Sequence, residues 1–301
     1  MSLNIFYTNY SGSEEHFFKN DVFNQDLYNY KINFMFFGND THCDIYNEYK
    51  NMKNIIVLNS TTELRVVDLM INLLQPSILI HISDECGNHL DHYELYKKRN
   101  IKHVFHHYKN KHLNFGENFY QIPLGYVKYY LSDKSSINNL TINQKEYDFS
   151  FVGSMKSDRK EMLHAFMDVF DNFYISAGLM NWSSPLDSTV KTNEIYSIYS
   201  KSIFVPIGRG NVSLDCFRIY EAILAGAIPV IVGPKEEIDY IFSFNGNKPL
   251  MICGNSWTVV AAQCKHLSQN KEIVDQIIIA NKQWWNSQII YIANKIQEII
   301  A

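Results

Sequence analysis

The chain has 301 residues, 46% of them apolar and 19% charged, with a formal net charge of −4. That apolar content supplies a sizeable core and excludes a disordered chain, and the length suits two domains of ordinary size or one large one. The slightly acidic balance, with no basic block, argues against nucleic acid as a partner.

Residues 1–10 lack the basic start and apolar run of a secretory signal, and no apolar stretch approaches membrane-spanning length. A cytoplasmic protein without an integral membrane segment is therefore expected. Short apolar runs at 3–8, 34–37, 55–58, 78–82, 103–107 and 119–123 read as strands. Between them, 63–74 carries Leu64, Val67, Met70, Ile71 and Leu74 at helical spacing, and a second helix is expected over 91–99. His81 alternates with buried strand residues and reads as a hydrogen-bonded core histidine. His103, His106, His107 and His112 lie where a strand enters a polar loop, without Cys or acidic partners at ligand spacing, so no metal site is expected. The five cysteines, Cys43, Cys86, Cys216, Cys253 and Cys264, are scattered and form no C-x-x-C pair, which fits a reducing compartment.

The stretch 131–145 is polar and rich in Ser and Asn, and reads as an interdomain linker or as a long surface loop within one domain. Strands then follow at 148–152, 173–176, 203–206, 228–232 and 250–253. Helices alternate with them at 158–170, 194–200 and 214–225, another begins near 257, and the tail 271–300 is helical throughout. Trp284 and Trp285 in that tail read as packing residues. Alternation of this kind predicts an α/β fold with two Rossmann-like domains facing a central cleft, ligands lying at the carboxyl ends of the strands.

Residues 204–233, FVPIGRGNVSLDCFRIYEAILAGAIPVIVG, are the most informative segment. A buried strand ends at Pro206. The loop that follows contains Gly208 and Gly210, which allow backbone N–H groups to approach a ligand closely. Ser213 reads as the N-cap of the next helix, with Asp215 in its first turn. A glycine-bearing loop feeding a helix N-terminus suits an anion. Arg218, Glu221, Ala222 and Ala225 fall along one helical face. There Arg218 offers a planar fork to phosphate oxygens, and Glu221 offers acceptors to ribose hydroxyls. The same residues are equally compatible with a solvent-facing Arg–Glu pair on an ordinary βαβ unit.

The run G-R-G-N…D-C-F-R-I-Y-E-A-I-L-A-G-A-I-P-V-I-V resembles the signature of exostosin-like glycosyltransferases and their GT-B relatives. It is matched through Gly208, Gly210, Asp215, Arg218, Glu221, Ala222, Gly226, Ile228, Pro229 and Val230, with Cys216 where many members carry Ser or Thr. YDFSFVGSMKSDR, residues 147–159, resembles the strand, loop and helix that open the donor domain of that group. ILIHISDE, HVFHHY and IPLGY are similar to parts of the acceptor domain.

The resemblance implies a GT-B fold. Residues 1–130 would form an acceptor-side Rossmann-like domain, 131–147 the linker, and 148–270 the nucleotide-sugar-binding domain. The helical segment 271–301 would return to the first domain. It also implies transfer of a sugar from a nucleotide-sugar donor, a UDP-sugar in the first instance, to a hydroxyl of a glycan, protein or small-molecule acceptor. Inversion is expected, and metal independence with it, the latter in keeping with the absence of a D-x-D triplet. No cofactor is expected beyond the co-substrate. The donor-binding candidates are Gly153, Ser154, Lys156, Arg159, Gly208, Arg209, Gly210, Ser213, Asp215, Arg218 and Glu221. Lys156 and Arg159 also read as ordinary surface cations after a turn. A base must take the acceptor's proton. Asp84 and Glu85, just past the 78–82 strand, are the candidates, Glu85 first because of its longer reach; a turn-capping pair before Gly87 is the competing reading. A catalytically inactive sugar-nucleotide-binding or assembly subunit of the same fold would share these features. An oxidoreductase would need a G-x-G-x-x-G after the first strand, which YTNYSG at 7–12 does not supply.

Overall fold

The computed structural model describes residues 2–8, 14–37, 48–87, 90–109, 116–131, 141–178 and 190–301. Most of the expected linker, together with Cys43 and His112, lies outside them. The chain divides into two compact units, one formed by residues 1–124 and 288–301 and the other by residues 125–287.

In the first unit the elements run β1 (Ser2–Tyr7), α1 (Glu15–Phe17) leading into a π-helical turn at Phe18–Val22, β2 (Lys31–Phe36), β3 (Lys53–Asn59) and α2 (Leu64–Leu74). They continue with β4 (Ile78–Ile82), α3 (Leu90–Lys98), β5 (His103–His106) and β6 (Phe119–Gln121). The strands form one parallel sheet of order β2-β1-β3-β4-β5-β6. Parallel strands covered on both faces need unbroken apolar runs, and the ILIHI of β4 is buried at every position. Helix α2 buries Val67, Met70, Ile71 and Leu74, the stripe its spacing predicts, and ends at Gln75 in a left-handed conformation before Pro76. Phe6, Ile56, Leu58, Leu79, Tyr93 and Val104 complete this core.

The second unit contains β7 (Tyr147–Ser154), α4 (Arg159–Met167), β8 (Phe173–Gly178), α5 (Thr192–Ser200), β9 (Ser202–Pro206) and α6 (Phe217–Leu224). After these come β10 (Ile228–Val232), α7 (Lys235–Ile241), β11 (Ile252–Gly254), α8 (Trp257–Ser268) and α9 (Lys271–Ile300). Its parallel sheet has the order β11-β10-β9-β7-β8. The core centres on Phe149, Phe151, Phe166, Phe170, Phe204 and Trp257. Trp284 and Trp285 are buried, and both rings pack on Tyr220 within this unit, at 6.4 and 5.9 Å between centroids. The last part of α9 belongs to the first unit, where Gln297 donates to the Leu27 carbonyl at 3.0 Å and Lys295 lies over the Tyr120 ring.

Two local expectations are corrected. Helix α6 begins at Phe217, three residues later than position 214, and its N-cap is Cys216. Ser213 is not the N-cap of α6; its Oγ accepts from the Asp215 N–H at 3.0 Å, a local side-chain turn that competes with helix and delays its start. Helix α7, from Lys235, was not anticipated, because KEEIDYI is too short for an apolar period to stand out.

Candidate functional site

The chain reverses its direction across the second sheet between β7 and β9. β8 lies beyond β7 on one side, while β9, β10 and β11 extend to the other. Such a reversal parts the loops at the carboxyl ends of the two central strands and leaves room for a ligand. β7 ends at Ser154 and the loop after it carries Lys156 and Asp158; the loop after β9 carries Gly208, Arg209 and Gly210. The two are knitted together. Asp158 Oδ1 accepts from the Arg209 N–H at 3.2 Å, while its Oδ2 accepts from Trp257 Nε1 at 3.0 Å. Lys156 donates to Asn211 Oδ1, and Arg159 Nη2 reaches the Arg209 carbonyl at 3.4 Å. Gly208 is what allows this approach, since a Cβ there would stand 2.6 Å from Arg159 Cγ.

Two guanidinium groups converge here. Arg159 is 2% exposed; its Nη1 donates to the Ser154 carbonyl at 2.7 Å and to Ser154 Oγ at 3.1 Å. Its Nε is buried and has no partner among the described residues. Arg218, half-buried, donates from Nε to the Val152 carbonyl at 2.9 Å and lies directly over Gly153. Burial, and next the charge of Arg218, pull the Arg159 pKa down. Burial acts the same way on Arg218, but Tyr199, Cys216 and Glu221 outweigh it and the pKa rises. Like charges held this close in a desolvated setting want an anion. The N-terminus of α6 opens beside them and adds the positive end of its dipole.

Glu221, one turn beyond Arg218, is 3% exposed, and its Oε1 accepts from the Val127 N–H at 3.2 Å. Burial raises its pKa, against the pull of Arg218. Its carbonyl accepts from the Tyr130 hydroxyl at 2.6 Å.

The predicted donor residues therefore divide by environment. Gly153, Ser154, Arg159, Gly208, Arg218 and Glu221 assemble around the guanidinium pair. Gly210 and Ser213 shape the loop, the Gly210 N–H meeting the Ser213 carbonyl at 2.9 Å. Asp215 is 1% exposed and its Oδ1 accepts a hydrogen bond from the Tyr220 hydroxyl at 2.7 Å, bracing α6. Arg209 turns to α7 in a bidentate pair with Glu237 at 2.9 and 3.0 Å. Tyr199 and Lys145, both next to this machinery, escaped sequence reasoning. Lys145 falls at the end of the polar stretch 131–145.

At the carboxyl end of the first sheet, Asp84 and Glu85 follow β4. Asp84 is 8% exposed and faces the Tyr93 hydroxyl; its carbonyl accepts from the Gly87 N–H at 3.2 Å in a tight turn. Glu85 is half-buried. Glu14, buried immediately ahead of α1, accepts a hydrogen bond from Ser83 Oγ just past β4 and is a third carboxylate here that the sequence did not single out. His81 is the core histidine expected, its Nδ1 2.8 Å from the Tyr96 hydroxyl. Burial pushes His106 and His107 down to about 3, so both are neutral at physiological pH. Among the described residues no group of three or more His, Cys, Asp or Glu is arranged to hold a metal, and no helix is long and apolar enough to cross a membrane. Cys86, Cys216, Cys253 and Cys264 are free thiols.

The two parallel-sheet Rossmann-like units define a fold of the GT-B type. Among solved structures, Anabaena HepE in complex with UDP and glucose aligns with a TM-score of 0.55 at 12% identity, over 98% of this chain and 98% of that chain. The same protein in complex with UDP gives 0.50 at 12% identity, again over 98% of each. The glycotransferase of kitacinnamycin gives 0.50 at 8% identity, over 99% of this chain and 98% of its own. At such identities the likeness is one of fold. No family model and no curated protein sequence matches the chain.

Proposed function

We propose that the protein is a glycosyltransferase that takes its sugar from a UDP-sugar, with inversion and without a metal ion. The observation that carries this reading is the Arg159–Arg218 pair, two guanidinium groups desolvated side by side at the switch point of a Rossmann-like unit. A departing pyrophosphate needs the positive charge that these groups and the α6 N-terminus supply, which is the service a divalent cation performs elsewhere. Glu221 then accepts from the ribose hydroxyls. The exostosin-like run from Gly208 to Val230 agrees with these roles, and the structural neighbour HepE was solved with UDP and glucose.

In the reaction the acceptor oxygen attacks the anomeric carbon from the face opposite the leaving group. The bond from that carbon to the β-phosphate oxygen breaks, and its electron pair leaves on UDP. The acceptor proton passes to a carboxylate, for which Glu85 is proposed, with Asp84 second because it already faces Tyr93.

Calorimetric titration with UDP tests the donor site. Arg218→Ala should weaken binding by about 1.5–3 kcal/mol, the value of a hydrogen bond to a charged group. Unchanged affinity removes the basis of the proposal. UDP release from a UDP-sugar by the wild type, undiminished by EDTA, separates a metal-independent transferase from an inactive binding subunit.

A further inference from the structure

We infer that Asp158 is a positioning residue of the donor site, its carboxylate holding the 208–210 loop in place beside Arg159. The inference rests on the donor-site reading above and extends it to a residue outside the signature run.

Asp158 meets two donors at once. Its Oδ1 accepts from the Arg209 N–H at 3.2 Å, and its Oδ2 accepts at 3.0 Å from Nε1 of Trp257, the first residue of α8. Neither a backbone N–H nor an indole N–H can accept, so the side chain between them must accept at both of its polar atoms. Of the short side chains only aspartate does so. Trp257 is 1% exposed and sits in the core of its unit, so the bridge ties the loop to rigid structure. Arg159, the next residue, grips the same stretch of main chain, its Nη2 reaching the Arg209 carbonyl at 3.4 Å. The approach is close: a Cβ at Gly208 would stand 2.9 Å from Asp158 Oδ1. Ser157, immediately before, has φ +53°, a left-handed conformation disfavoured in any residue with a Cβ.

Charge alone argues against a carboxylate here. Asp158 stands one residue from Arg159, where a negative charge opposes an incoming diphosphate. It does not draw the anion in, so what it contributes is position. A loop with two glycines loses much conformational freedom on ordering. The bridge orders it before a ligand arrives, which favours binding by pre-organisation.

The test is Asp158→Asn in the full chain, titrated with UDP by calorimetry and with uridine by ligand-observed NMR, alongside thermal melting. The amide keeps the shape, removes the charge and turns an NH2 donor onto one of the two N–H groups. UDP affinity should fall about tenfold, as for loss of one hydrogen bond to a charged group, while uridine, which has no phosphate, binds as before. Trp257→Phe keeps the carboxylate and removes only the indole donor. It should lower UDP affinity by less, and the two losses combined should be smaller than their sum. Tighter UDP binding by Asp158→Asn would show the carboxylate acting through its charge and overturn the inference. Unchanged affinity, or equal losses for UDP and uridine, would do the same. Should Asp158→Asn fail to fold, Trp257→Phe decides: a loss confined to UDP supports the inference, and unchanged UDP affinity sinks it. With a wild type that binds UDP, these results bear on this inference alone. A wild type that binds no UDP sinks the donor-site reading and this inference together.

Discussion

Replacing Gly153 by alanine probes the site through a single methyl group. Its Cβ would stand 2.7 Å from Nη2 and 3.1 Å from Cζ of Arg218. Carbon–nitrogen contact distances of about 3.5 Å place that methyl close to 1 Å too near. The guanidinium cannot simply retreat, because its Nε is held by the Val152 carbonyl at 2.9 Å. Displacing it should therefore forfeit most of its interaction with a bound diphosphate, about 1.5–3 kcal/mol, or roughly 10- to 150-fold in UDP affinity. A separate cost arises because Gly153 has φ +157°, a conformation alanine adopts with strain of about 1–3 kcal/mol. Gly226→Ala supplies the control: φ is +73°, and the neighbour of its Cβ is Lys282 rather than Arg218. Calorimetry with UDP and thermal melting on both variants separate the two effects. Both should melt earlier, and Gly153→Ala alone should lose affinity. A Gly153→Ala protein that binds UDP as tightly as the wild type would refute the role assigned to Arg218.

Glu85→Gln should leave UDP affinity intact and abolish transfer to an acceptor; retained turnover would move the base to another carboxylate, Asp84 or Glu14. Lys145 offers a pH test. Burial lowers its pKa from 10.5 to about 7, so between those values the unfolded chain holds the proton more often than the folded one. Folding stability contributed by this residue therefore rises with pH from about 7 towards 10.5 and is flat below. Denaturation curves of wild type and Lys145→Met should diverge over that window, the wild type gaining; parallel curves would show that Lys145 does not titrate there.

Most of the strands, the longer helices, their alternation and the parallel α/β class were legible in one dimension. Buried parallel strands leave near-continuous apolar runs, as in residues 78–82, and an amphipathic helix leaves a period, as in Val67, Met70, Ile71 and Leu74. The placement of Gly208, Arg218 and Glu221 in one segment was equally visible, because a loop, a helix start and one helical turn are local in the chain. The delayed start of α6 was not, since Ser213 satisfies the helix-capping pattern and the turn pattern equally well and only the surrounding chain selects the turn.

What the linear order of residues determined by itself was the alphabet of elements and the local chemistry carried by 208–221. The tertiary structure alone decided which cations serve that chemistry. Arg159 meets Arg218 because β7 and β9 are neighbours in the sheet, whereas Arg209, inside the signature loop, is drawn away to Glu237. Lys145 likewise acquires its place only in the fold, where it joins the Ser200 carbonyl at the end of α5 to the Gly226 carbonyl just past α6. The physical reason is common to all of these. Spacing along a strand or helix fixes which face a side chain occupies, but desolvation and charge depend on whatever the fold packs against that face.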